Sequence, residues 1–288
     1  MTLPAAYAVA RACPNDRFTF LTRSPFDQLF VNAPANLHVI TDESWRDMKF
    51  THVADLHNVL RSWRIDLRML LRGCRVRMMD KRRWERRAIL KGKKTSQPFT
   101  ERYERVFQQL GFAMEKPVPI ALEQHLKQGI GIAPFARYTT KTYTIKQMHQ
   151  VVRLLGEQGK KVYLFGARGA EARLLERWAE EMPHCTNLAG MLTLGEELQR
   201  MAQLECMVAM DSANGHMAAL VGTRVVTLWG STTPACGFLP FGQSASDQLS
   251  LQLPCQPCSI AGCKTCKLHT HACLRQLTPQ AIVNRILR

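Results

Sequence analysis

The stretch from Cys206 to Phe238 constrains the fold more than any other part of the chain. Cys206–Met210 is a short apolar run between polar residues and reads as a buried strand. It ends at Asp211-Ser212-Ala213-Asn214-Gly215-His216, a polar turn rich in residues that start helices, and the apolar Met217–Val221 segment continues a helix beginning near Ser212. Arg224–Trp229 (RVVTLW) is a second strand, and Gly230-Ser231-Thr232-Thr233-Pro234 is a second polar turn. A strand–helix–strand unit of this kind crosses over right-handed, so both turns emerge at the carboxyl edge of a parallel sheet. Ligands of open α/β sheets bind along that edge, and the helix start aims free N–H groups at them. Ser212, Ala213 and Gly215 are small enough to let a phosphate approach the backbone. Asp211 and His216 have two readings: they orient the turn and meet sugar hydroxyls, or they serve the helix as cap and packing residue.

The remaining chain repeats the β–α alternation of doubly wound domains. Arg17–Thr22, Leu37–Thr41, His52–Leu56 and Arg75–Met79 read as strands, the third delivering Asp55, His57 and Arg61 to a strand end. Gln97–Gly111 is an amphipathic helix candidate, and Pro117 and Pro119 mark a linker. These signals divide the chain into residues 1–122 and 123–288, the second domain opening near His125 with Gly129–Phe135 as its first strand. Lys161–Phe165 and Cys185–Ala189 are further strands, and Thr193 with Glu196 forms a capping box. Thr278 caps a terminal helix with Pro279 at its first position.

The segment MDSANGHMAALVGTRVVTLWGSTTP resembles the signature of glycosyltransferase family 9, the ADP-heptose:lipopolysaccharide heptosyltransferases. Asp211, Ser212 and His216 match the family's D-[ST]-G-x-x-H turn, with Ala213 where Gly is usual; Gly230, Thr232 and Pro234 match its G-x-T-x-P turn, with Thr233 in place of Asp or His. The resemblance implies two Rossmann-like α/β domains facing across a cleft, of the GT-B type. It implies an inverting, metal-independent transfer from an ADP-activated sugar on the second domain to an acidic lipopolysaccharide or lipid acceptor on the first. By the same analogy Lys141, with Lys146 as the alternative, contacts the donor's diphosphate, Glu171 holds the ribose and Met191 lines the base pocket. Lys141 and Asp211 are then the catalytic candidates, and Ser212, Ala213, His216, Gly230 and Thr232 complete the donor site. On the acceptor side stand Asp55, His57, Arg61 and Arg64, of which Asp55 and His57 are weak stand-ins for a general base. Family members open with a further strand and a Gly-Asp loop ahead of the helix found here at Met1, so the first domain is expected to lack that strand and to fold poorly alone.

Charge bears on the partner. A formal net charge of +16 points to an anionic one, and Arg61, Arg64, Arg68 and Arg72 recur on one helical face with few acids nearby. An acidic lipid acceptor at an anionic inner leaflet suits such a surface. The chain shows no RNA-binding motif with interleaved aromatics, so nucleic acid is not expected. Without a signal peptide or an apolar run long enough to span a bilayer, residence is expected in the cytoplasm, peripheral to the membrane. Cys255, Cys258, Cys263, Cys266 and Cys273 carry paired C-x2-C spacing; free or redox-active thiols are favoured over a structural zinc, and no cofactor is expected. Two other classes compete: a nucleotide-sugar epimerase-like enzyme of the same architecture, and a catalytically lapsed basic protein that binds membrane or RNA.

Overall fold

The computed structural model describes residues 1–123 and 126–288, so the domain start read near His125 lies outside the described residues. The chain forms two compact units, one of residues 1–84 and 97–120, the other of residues 85–96 and 121–288. Residues 85–96, assigned by sequence order to the first domain, pack with the second unit. There Ser96 N donates to the Ala235 carbonyl at 2.8 Å, and Lys94 pairs with buried Glu85 at 2.7 Å.

In the first unit, helix α1 (Leu3–Ala12) is buried from Leu3 through Ala10, which its small, alanine-rich sequence allows. Two parallel strand pairs follow: β1 (Phe18–Leu21) with β2 (Leu37–Ile40), and β3 (His52–Asp55) with β4 (Arg75–Met78). Helix α2 (Leu60–Leu71) connects β3 to β4. Alternation along β3 sorts side chains between two small cores. Val53 packs with Val76 and Met69 under α2, whereas Ala54 joins a cluster of Ala5, Val9, Val106 and Phe107. That cluster includes a later helix, numbered after the short α3 (Arg86–Leu90) of the second unit: α4 (Phe99–Gln109).

Asp55 shows why α2 begins where it does. Its Oδ1 accepts the His57 and Asn58 N–H groups, each at 2.8 Å, and its Oδ2 accepts the Ser62 hydroxyl at 2.7 Å. Nearby Asp66 is buried against this carboxylate, and burial and that charge push its pKa up to about 7. Burial likewise raises Glu197, in the second unit, to about 7. Both groups hold their protons in the folded chain at pH values where the unfolded chain has lost them. Stability is therefore expected to be full below about pH 4 to 4.5 on this account and to fall as pH rises toward 7. Urea unfolding midpoints measured at pH 5 and 7.5 check this: the drop should shrink in the Asp66→Asn/Glu197→Gln chain.

The second unit is a six-stranded parallel sheet in the order β10-β9-β8-β5-β6-β7. Its elements run β5 (Ile130–Ala133), α5 (Ile145–Glu157), β6 (Val162–Leu164), α6 (Ala170–Glu181), β7 (Cys185–Asn187), α7 (Leu194–Ala202), β8 (Cys206–Met210), α8 (Ala213–Leu220), β9 (Val225–Leu228), β10 (Gln248–Leu249), α9 (Ala272–Arg275) and α10 (Pro279–Ile286). β5, β8 and β9 are buried throughout, which explains their unbroken apolar sequences. Thr193 and Thr278 cap α7 and α10 as their sequences indicate. The polar segment after Gly242 supplies β10, held beside β9 where Asp247 grips Arg224 through both carboxylate oxygens at 2.7 and 2.9 Å. From β5 the chain winds outward through β6 and β7, then crosses back to place β8 on the other side of β5. That reversal opens a crevice at the carboxyl ends of β5 and β8, the position where such sheets bind ligands.

Candidate functional site at the strand reversal

Two loops meet at this crevice. The loop after β5 carries Lys141 in a short 3-10 turn (Thr139–Lys141), and Asp211 directly follows β8. Lys141 Nζ lies 2.8 Å from Asp211 Oδ2, with side-chain exposures of 12% and 5%. The same oxygen accepts the Thr232 hydroxyl at 2.7 Å, so the turn after β9 joins the cluster. Two sequence-predicted residues, Lys141 and Thr232, thus converge from separate loops on the carboxylate of a third, Asp211. Asp211 is not the N-cap of α8: Ser212 holds that position, and its side chain makes no cap hydrogen bond. The opening amides of that helix carry its positive end into the crevice without a protein acceptor from a cap.

Around the ion pair, Ser212 Oγ and His216 Nδ1 are buried without a hydrogen-bond partner. Buried polar atoms are normally paired, and two orphans beside a half-buried lysine suit a polar ligand that supplies the missing partners. Burial, with the Lys141 charge adding to it, lowers the His216 pKa to about 3. It is a neutral imidazole at pH 7, able to donate from one nitrogen and accept at the other.

The loops are held together by Thr139, Thr140, Ser231, Gln256 and the backbone of the cysteine-rich segment. Ser231 N donates to the Thr140 carbonyl at 2.9 Å, and the two hydroxyls lie 3.0 Å apart. Thr140 Oγ1 donates to the Cys263 carbonyl at 2.6 Å, Thr139 Oγ1 to the Lys264 carbonyl at 2.9 Å, and Gln256 Nε2 to the Gly230 carbonyl at 2.7 Å. Cys258 N and Ser259 N both donate to the Ser231 carbonyl at 3.0 Å. The cysteine-rich segment is therefore a clasp across the Lys141 and Thr232 loops. No short-range pattern signals this, because the clasp reaches the Gly230–Ser231 turn from 26 or more residues away and the Thr139–Thr140 turn from 123 and 125.

Cys255, Cys258 and Cys266 line one surface hollow with Leu90 and Lys267. Backbone N–H groups, that of His271 foremost, lower the Cys266 pKa, whereas burial raises those of Cys258 and Cys273, the latter to about 11. Among the described residues, no group of three or more His, Cys, Asp or Glu is arranged to hold a metal ion.

Glu171 opens α6 at the same sheet edge, where its Oε2 accepts the Ala167 N–H at 2.7 Å. Met191 follows β7 and is exposed, and Arg168 Nε joins the β6 and β7 loops by donating to the Gly190 carbonyl at 3.0 Å. Both residues sit one and two strands out from the ion pair. Lys146 lies within α5, a turn beyond the loop. Asp55, His57, Arg61 and Arg64 belong to the first unit, at the carboxyl end of β3 and on α2; His57 and both arginines are exposed, while Asp55 uses its oxygens to start the helix.

The model of glycosyltransferase family 9 (heptosyltransferase) matches residues 46–269. Lipooligosaccharide heptosyltransferase 2 of Campylobacter jejuni serotype O:6 is 24% identical over 181 residues, covering 62% of this chain and 56% of that protein. The Haemophilus influenzae protein of the same name is 31% identical over 110 residues, covering 36% and 32%. The chain thus spans about half the length of these curated heptosyltransferase relatives from Campylobacter jejuni. Among solved structures, the E. coli ADP-heptose lps heptosyltransferase II superposes with a TM-score of 0.73 at 17% identity over 100% of this chain and 94% of that one. The E. coli heptosyltransferase WaaC with ADP gives 0.69 at 17% identity, over 99% and 94%. These likenesses show the fold class that the family resemblance implied.

Proposed function

The chain belongs to glycosyltransferase family 9, and from that premise we propose that it moves a heptose-like sugar from an ADP-linked donor to an acidic lipopolysaccharide-type acceptor with inversion. In this reaction an acceptor hydroxyl attacks the anomeric carbon as the bond to the diphosphate oxygen breaks. The hydroxyl proton is lost, and ADP leaves with the bonding electrons. Negative charge grows on the departing diphosphate, and catalysis consists largely of stabilising it more in the transition state than in the bound donor.

The observation that carries this reading is the Lys141–Asp211–Thr232 cluster at the strand reversal. Asp211 holds the lysine ammonium in place, and the diphosphate shares that ammonium, with the first amides of α8 and the Gly230–Thr232 turn as further donors. In the proposed mechanism this ammonium and these amides stabilise the leaving group without a metal ion. Glu171 is assigned to the ribose hydroxyls and Met191 to the adenine pocket, consistent with their loops on the same sheet edge. Arg61 and Arg64 are assigned to the acidic groups of the acceptor, for which exposed arginines offer paired donors. A lipid-borne acceptor also brings the chain to an anionic leaflet.

The test is ADP release from ADP-heptose. Release that requires the lipid acceptor and yields a glycosylated lipid supports transfer. Conversion of the donor alone, without acceptor, would make the chain an epimerase-like enzyme, and no donor binding at all would remove the enzyme reading.

A further inference from the structure

Helix α2 (LRSWRIDLRMLL) presents three faces where an ordinary surface helix presents two. At about 100° of turn per residue, Asp66 and Met69 fall together on the side packed over β3 and β4, and both are buried. Leu60, Trp63, Leu67, Leu70 and Leu71 make a second, contiguous stripe along the whole helix. That stripe faces solvent, with exposures of 75%, 47%, 60%, 53% and 81%. Arg61, Arg64 and Arg68, all exposed, line one margin of it. Apolar side chains grouped in this way mark an interaction surface.

We propose that α2 is an interfacial anchor that lies in the plane of an anionic bilayer, its leucine–tryptophan stripe below the headgroups and its arginines at the level of the lipid phosphates. The proposal deepens the reading of a lipid-borne acceptor by naming the surface that meets the membrane. Charge complementarity selects this occupant. A second copy of the face would bring two arginine margins together, and the one carboxylate of α2, Asp66, is turned into the core. Among the described residues no helix is long and apolar enough to cross a membrane, and a helix of 12 residues with one apolar stripe fits a position on the surface.

Flotation of the full chain with phosphatidylethanolamine vesicles, with and without phosphatidylglycerol, tests this. Binding is expected only with phosphatidylglycerol, and the Leu67→Ser/Leu71→Ser chain, altered at two exposed positions, should lose about tenfold or more in vesicle affinity with an unchanged melting temperature. Trp63 should be quenched by brominated lipid, an effect that Trp63→Phe removes. Full binding by the double-serine chain overturns the proposal, as does quenching that survives in Trp63→Phe. Concentration-dependent dimers that the double-serine chain abolishes, in place of vesicle binding, overturn it too. ADP affinity should not respond to the serine substitutions, so a failed anchor and a failed donor site give separate results.

Discussion

Replacing Lys141 by alanine is expected to lower transfer by about a hundred- to a thousandfold, the usual effect of removing one preorganised donor from a developing oxyanion. ADP binding should weaken with it, since the ground-state diphosphate uses the same ammonium. The substitution also leaves Asp211 buried without its counter-charge, which costs roughly 3–5 kcal/mol of stability in a site where that side chain is only 5% exposed. The two consequences separate in a double variant. Lys141→Met/Asp211→Leu removes both charges, so most of the stability should return while activity stays lost. Urea unfolding and an ADP titration on the same three proteins make the comparison. If the double variant regains activity, the ammonium does not act on the leaving group.

Gly230→Ala should be the next most damaging change, for a reason visible only in the backbone. A Cβ at Gly230 would run into the Thr140 carbonyl oxygen and press on the Leu274 side chain at 3.0 Å. That carbonyl already accepts the Ser231 N–H at 2.9 Å, so the two loops are fastened at this point and neither has room to retreat alone. Overpacking of this kind costs about 1–3 kcal/mol. The larger effect is positional, because Thr140 precedes Lys141 and any shift of its backbone carries the ammonium with it. Misplacement by an ångström can cost on the order of a hundredfold in rate. The expected signature is a loss in kcat greater than the loss in ADP affinity, measured by steady-state kinetics and calorimetry. Gly262→Ala offers a comparison: its Cβ would meet the Lys141 Cδ atom at 2.6 Å, but that is flexible side chain, and the strain there comes from a φ of +102°.

Part of this site was legible in the sequence because it is built locally. The apolar run of β8 stops at Asp211, a polar turn follows, and β9 stops at Gly230, so hydrophobic patterning alone places both turns on one sheet edge. What patterning left open was whether Asp211 caps a helix or faces the crevice. The structure answers through Thr232 and Lys141, which bond its Oδ2 from other loops. Lys141 itself carries no local signal; a loop lysine reads as solvated, and only the family resemblance singled it out. Thr140, Ser231 and the carbonyls of Cys263 and Lys264 were out of reach for a different reason. Their hydrogen bonds join segments that approach each other only once the sheet has formed. The cysteine spacing drew attention to the thiols, yet it is the backbone of that segment which grips the site. β10 was missed because two residues, Gln248 and Leu249, are too few to show a period.

The second unit is expected to hold a pyrophosphate at the reversal between β5 and β8, and a structure of the chain with ADP is the decisive measurement. The diphosphate should lie within hydrogen-bonding distance of Lys141 Nζ, with the first amides of α8 and the Thr232 turn as its other donors. A diphosphate bound elsewhere, with the Lys141–Asp211 pair closed and untouched, would contradict it.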